Sequence, residues 1–174
     1  MKKKIVFVSG TRADYGKIKN LILKSQKLKQ FQTHVFVTGM HNMKKYGSTY
    51  LQLYNDKVKN ISRFNNQKTN DRISNVVAKA VIGFSSFLVR IRPDIVVIHG
   101  DRIEALACAQ AAVFNNIKVA HIEGGEITGS LDEIMRHAIT KLSHVHFVSN
   151  NKAKNRLIQI CLLYTSPSPR DTNE

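Results

Sequence analysis

The sequence predicts a three-layer α/β domain, Rossmann-like, with a parallel sheet of five or six strands and helices on both faces. Three observations predict it. Short β-branched runs alternate along the chain with longer stretches of helical periodicity, the order expected of successive βαβ units. The run Asp94-Ile-Val-Val-Ile-His99 is apolar without alternation, as suits a strand buried on both faces of a parallel sheet. Acids and glycines follow such runs at once, as Gly100-Asp101 and Glu123-Gly124-Gly125, at the edge where open α/β sheets bind ligands.

Taken in order, residues 3–9 read as the first strand, with residues 3–8 expected in the sheet. Gly10-Thr-Arg-Ala-Asp-Tyr-Gly-Lys17 reads as the turn into a helix whose Ile18, Leu21, Ile22 and Leu28 recur at helical spacing. Thr11 and Asp14 have the form of an N-terminal capping pair. The second strand spans 33–38. Residues 55–72 are polar and rich in asparagine, a long loop with a short strand near Val58–Ile61. A helix from Asn70 or Asp71 carries Val76, Ala80, Phe84 and Leu88 inward and stops at Pro93. Strand 94–99, an apolar helix Ala105–Phe114 and strand 118–122 follow. Ser130-Leu-Asp-Glu133 reads as a capping box. It opens a helix expected to pack through Ile134, Met135, Ala138, Ile139 and Leu142, and to show Glu133, Arg136, His137 and Lys141 on the opposite face. Strand 144–148 and a helix from Asn151 complete the order. Cys161-Leu-Leu-Tyr-Thr-Ser-Pro-Ser-Pro-Arg-Asp171 breaks that last helix in mid-course. It looks like a translated sequencing adaptor, so residues 161–174 are set aside as a non-native tail.

Bulk properties narrow the function classes. The 174 residues suit one packed domain. Met1-Lys-Lys-Lys leads straight into Ile5-Val-Phe-Val8, so no signal peptide is expected, and the longest apolar runs break before bilayer length. The expected compartment is the cytoplasm and no membrane partner is expected. The 27 basic residues against 12 acidic ones give a formal charge of +15. The lysines are scattered without interleaved aromatics, which favours a phosphorylated acidic ligand over nucleic acid. Two cysteines make no disulfide or zinc spacing, and His144 with His146 lack a third ligand, so no metal is expected.

Several residues carry two readings. Arg12 and Lys17 beside a helix N-terminus suit an anion, or are ordinary surface cations. The stretch around them fits neither a Walker loop nor a dinucleotide fingerprint. Asp101 after a strand is either a helix cap or an acid on a ligand. Glu123, between a buried strand and two glycines, reads more strongly as functional. Glu133 has a capping explanation, and loop His41 is either structural or functional.

Longer motifs decide more. Gly10-Thr-Arg-Ala-Asp-Tyr-Gly-Lys17, Gly39-Met-His41, Lys45-Tyr-Gly47 and Thr49-Tyr50 come first. His99-Gly-Asp-Arg-Ile-Glu-Ala-Leu-Ala107, His121-Ile-Glu-Gly-Gly-Glu126 and the stretch Gly129 to His144 follow. Together, across residues 1–160, they resemble the hydrolysing UDP-N-acetylglucosamine 2-epimerases of sialic-acid biosynthesis. The resemblance implies the amino-terminal domain of a GT-B fold, with the carboxy-terminal nucleotide-binding domain absent. It implies a UDP-sugar substrate, a homo-oligomeric full-length enzyme, and no metal or nicotinamide. The implied chemistry is C2 deprotonation, anti elimination of UDP, and hydration with inversion to N-acetylmannosamine. Asp101, Glu123 and Asp132 match the family's acids, Arg12 and Lys17 its phosphate side, and His41 a matching loop. Glu133, Arg136 and His137 are expected around the substrate. The alternatives are a relative acting on another nucleotide sugar, such as UDP-diacetylbacillosamine, and a basic nucleic-acid-binding domain.

Overall fold

In a computed structural model, described over residues 2–162, six strands form one wholly parallel sheet in the order β3-β2-β1-β4-β5-β6. The strands are β1 (Lys3–Ser9), β2 (Phe31–Val37), β3 (Ile61–Arg63), β4 (Ile95–His99), β5 (Lys118–Ile122) and β6 (Val145–Phe147). The adaptor-like reading of 161–174 lies outside the described residues, apart from the backbone of positions 161 and 162. The edge strand β3 begins at Ile61, the last residue of the Val58–Ile61 segment expected from sequence. It is placed by pairing Val35 with Ile61 through Val37 with Arg63, which local propensity cannot encode.

Six helices connect and flank the strands: α1 (Arg12–Lys27), α2 (Leu51–Asn55), α3 (Ile73–Ile91), α4 (Ile103–Phe114), α5 (Leu131–Leu142) and α6 (Asn151–Leu162). Helix α1 begins at Arg12, so most of the segment expected as a turn is already helical. Thr11 caps it by accepting the Asp14 amide at 3.2 Å. Helix α3 is long and apolar enough to cross a bilayer by length and composition, which the sequence reading missed. It is a core helix: Val76, Ala80, Phe84, Phe87 and Leu88 are buried, and its rings meet β2 with Phe36 and Phe84 at 4.7 Å. Burying such a ring contributes about 1.5–3 kcal/mol.

Two apolar clusters sandwich the sheet. One joins Val6, Val8, Val96, Ile98 and Val119 to the α3–α4 side, with Ile139 of α5. The other joins Phe7, Val35 and Val37 to Tyr15, Ile18 and Ile22 of α1. Beyond α1 an open hollow of ≈ 450 Å³ exposes sheet residues Val97, Ile122 and Phe147.

The expected face of α5 is corrected. Arg136 and Thr140 are buried beside Ile139, whereas Ile134 is 68% exposed. The reason is a polar contact: Arg136 finds a carboxylate and a carbonyl inside, and its aliphatic stem covers apolar surface. The strand order reverses between β1 and β4, so the crevice at their carboxyl ends is where the fold opens to a ligand.

Candidate functional site

Three chain segments meet at that reversal: the β1–α1 turn, the end of β4, and the end of β5. At the first, Thr11 donates its hydroxyl to Asp14 Oδ2 at 2.8 Å, fixing a carboxylate that is only 9% exposed. Burial alone would raise the Asp14 carboxyl, but the His99 imidazole, the Thr11 hydroxyl and the Arg102 charge outweigh it and hold it below its ordinary value. At the second, His99 puts Nδ1 3.5 Å from Asp14 Oδ1 and Nε2 3.0 Å from Glu123 Oε2. At the third, Glu123 Oε1 receives Lys17 Nζ at 3.1 Å. Burial likewise opposes ionisation of Glu123, and the Lys17 hydrogen bond with the neighbouring His99 ring keeps its carboxyl below the usual range.

Glu123 holds this place with a left-handed backbone, φ 64, tied by its amide to Phe147 O at 2.8 Å. A non-glycine residue there costs about 1–3 kcal/mol and clusters at functional sites. The turn continues through Gly125 at φ 81, where a Cβ would stand 2.5 Å from the Ala153 carbonyl oxygen of α6. Gly125→Ala is therefore expected to destabilise the chain by about 2–4 kcal/mol through left-handed strain and overpacking. Urea unfolding measures it; a loss below about 0.5 kcal/mol would show that the turn yields freely.

Asp101 follows β4 and is ion-paired with Arg136, whose other arm donates to Glu126 O at 2.9 Å. Arg136 thus reaches the expected substrate region through Asp101, its own side chain being buried. Asp132 lies exposed on the first turn of α5, and its side chain makes no hydrogen bond or ion pair among the described residues. Arg12 is exposed at the start of α1, where unpaired amides and the helix dipole favour an anion.

Two expected ligand contacts have partners within the protein. His41 is fully buried, with Nε2 2.9 Å from Ser9 Oγ and Nδ1 2.7 Å from Thr49 Oγ1, so it braces the floor under the β1–α1 turn. Burial pushes its imidazole down to about 4, so the ring between the two hydroxyls is held neutral. Glu133 forms no capping box with the Ser130 side chain; its Oε2 accepts the amides of Thr128 and Gly129, both at 2.8 Å. The Gly129 turn reaches the carboxylate first. His137 lies partly buried on α5, its Nδ1 without a hydrogen-bond partner.

Sequence reasoning missed Asp14 and His99 as site residues, and also Glu104. The Glu104 side chain is 2% exposed on α4, its Oε2 3.7 Å from Arg102 Nε, and burial raises its carboxyl. Gly39, at φ 61, admits it: a Cβ there would lie 2.7 Å from Glu104 Oε1. Among the described residues no group of three or more His, Cys, Asp or Glu could hold a metal ion. The arrangement offers two carboxylates at adjacent strand ends, a histidine behind one, and cations at a helix N-terminus. It can exchange protons with a neutral ligand portion while holding an anionic one.

The profile of the UDP-N-acetylglucosamine 2-epimerase family matches residues 23–163. A UDP-N-acetylglucosamine 2-epimerase of Neisseria meningitidis serogroup B is 41% identical over 158 residues, 91% of this chain and 42% of the relative. A Legionella pneumophila UDP-N,N'-diacetylbacillosamine 2-epimerase (hydrolyzing) is 39% identical over 164 residues, 92% of this chain and 43% of the relative. A solved Neisseria meningitidis UDP-GlcNAc 2-epimerase bound to UDP-GlcNAc superposes with TM-score 0.81 at 28% identity, covering 90% of this chain and 42% of that one. The chain thus spans about two fifths of the length of these relatives.

Proposed function

The chain belongs to the UDP-N-acetylglucosamine 2-epimerase family, and from that premise we propose that it forms the amino-terminal wall of a hydrolysing epimerase. Its fold class is the Rossmann-like amino-terminal domain of the GT-B epimerases. The proposed reaction converts UDP-N-acetylglucosamine to UDP and N-acetylmannosamine. The observation that carries it is the rim at the strand-order reversal, where Glu123 at the end of β5 is paired with Lys17 of α1 and Asp101, past the adjacent end of β4, is paired with Arg136. Arg12 and the free amides of α1 face the diphosphate, which leaves with the electrons of the C1–O bond. A carboxylate of the rim removes the C2 proton, and an acid of the same rim returns one to the glycal as water adds at C1. Asp101, held by Arg136, and Glu123, held by Lys17 and His99, are the paired groups for these transfers. Asp132 enters from the exposed end of α5.

A second reading takes UDP-diacetylbacillosamine as substrate, favoured by near-equal identity to the Legionella relative. The test replaces the matching part of the meningococcal relative with residues 1–160 and assays both sugars in deuterated water. UDP and N-acetylmannosamine carrying deuterium at C2 are expected from UDP-N-acetylglucosamine. Turnover of the bacillosamine sugar alone selects the second reading, turnover without C2 exchange rejects the mechanism, and an inactive chimera rejects both. The 174-residue chain alone is expected neither to turn over substrate nor to bind UDP at submicromolar concentration in titration calorimetry. A single wall leaves its charges at high dielectric and the sugar unpositioned.

A further inference from the structure

We propose that His99 is the positioning and proton-relay residue of Glu123, lodged between that carboxylate and the buried Asp14. The inference rests on the proposed acid–base role of Glu123 and adds a residue behind it. The observation is a contrast among buried histidines. His121 is fully buried between neutral groups, with Nε2 donating to Gly100 O at 2.7 Å and Nδ1 3.2 Å from Thr140 Oγ1. His41 is likewise held between the hydroxyls of Ser9 and Thr49. Those rings fill space and close local hydrogen bonds.

His99 is built differently. Its side chain is only 9% exposed, yet both nitrogens face carboxylate oxygens, Asp14 Oδ1 at 3.5 Å and Glu123 Oε2 at 3.0 Å. The first distance is long for a hydrogen bond and Nδ1 makes none, so an Nδ1–H carrying the resting ring proton has room to close on Asp14 as the ring charges, leaving Nε2 bare toward Glu123. Asp14 is fixed in turn by the Thr11 hydroxyl, and the far oxygen of Glu123 by Lys17. A line of contacts thus runs Thr11–Asp14–His99–Glu123–Lys17, from the buried turn to the open rim. Glu123 is its only member that combines a carboxylate with substantial exposure to the crevice, at 34%.

The step balances within the protein. With the resting ring proton on Nδ1, a proton taken from substrate onto Glu123 Oε2 passes to the bare Nε2 of His99, breaking one O–H bond and forming one N–H bond. Glu123 returns to carboxylate, His99 becomes imidazolium, and the Asp14 carboxylate compensates that charge. The reverse transfer recharges Glu123 as the acid for the second half of the reaction. His99 also fixes which Glu123 oxygen faces inward, as the partner of a catalytic group commonly does.

Two experiments test this. In the chimera carrying residues 1–160, His99→Ala is expected to lower kcat by roughly 10²-fold with KM within a few-fold. Added imidazole should restore at least a tenth of the lost rate, while pyrazole, of the same size but weakly basic, should not. His99→Gln, which keeps a donor to Glu123 but cannot carry the proton, should stay slow. Full activity in His99→Gln, or equal rescue by pyrazole, would overturn the relay. In the 174-residue chain, imidazole ¹⁵N spectra read the contacts directly. Glu123→Gln should move the His99 Nε2 resonance and Asp14→Asn the Nδ1 resonance; unmoved resonances would overturn the assignment. An inactive wild-type chimera would reject the functional reading, and the spectra would still decide the contacts of His99.

Discussion

In the chimera carrying residues 1–160, Asp101→Asn and Glu123→Gln are each expected to lower kcat by roughly 10²–10⁴-fold, the scale of a lost acid or base. Both substitutions keep size and hydrogen-bonding atoms while removing the ionisable oxygen. Asn at 101 still accepts from Arg136, and Gln at 123 still meets Lys17 or His99 with its carbonyl, so the rim keeps its shape. The loss should therefore fall on kcat with KM within a few-fold, because the diphosphate is held elsewhere, by Arg12 and the amino end of α1. Steady-state kinetics with UDP-N-acetylglucosamine measure it. Rates within three-fold of wild type in both variants would remove these acids from the chemistry. A rise in KM alone would make them binding groups. Arg136 gives a cross-check on Asp101: it touches no ligand in this account, so its effects must travel through that acid.

The second large effect is on stability. The 174-residue chain should lose about 3–4 kcal/mol of unfolding free energy between pH 7.5 and pH 5. Burial, first of all, lowers the His41 and His121 imidazoles from 6.5 to about 4. Between those values the unfolded chain binds more protons than the folded one, so stability is full above pH 6.5 and declines as pH falls toward 4. Each histidine contributes up to about 1.4 kcal/mol per pH unit in that window. His34, also lowered by burial, acts in the same direction. Glu104 opposes them, since its raised carboxyl binds a proton in the fold before it does so unfolded. The carboxylates held low, such as Asp14, Asp56 and Asp94, lose their contribution only below this window. Urea melts at the two pH values measure the difference, and His41→Gln with His121→Gln should flatten it. A wild-type stability that stays level from pH 7.5 to 5 would show that these rings open to water at little cost.

Much of the fold was legible because its signals are local. The runs at Ile95–His99 and Lys118–Ile122 are apolar on both faces, and their ends match the sequence reading within a residue, although one face is only half covered and borders the hollow beyond α1. Thr11 and Asp14 were recognised as a capping pair because a helix needs that donor satisfied three residues in. Two local signals misled. Ser130 and Glu133 have the spacing of a capping box, but the Gly129 turn brings two amides to the glutamate first. The apolar Ile134 was expected to face the sheet, yet it points outward because buried Arg136 takes the inward side of α5.

For the site, the sequence by itself determined which acids lie at the rim. Parallel strands joined by helices bring every carboxyl end to one edge, so a residue just past a strand is at the crevice wherever the strand sits. Asp101 and Glu123 were found in this way. Only the tertiary structure decided what stands behind them. The Lys17–Glu123 contact joins residues 106 apart, His99–Glu123 joins residues 24 apart, and Arg136 reaches Asp101 across 35. It also decided that His41 is closed off by Ser9, 32 residues away, so that a loop histidine the sequence left as either structural or functional is a buried brace. Such partnerships follow from strand order and helix placement, which set distances that no spacing along the chain records.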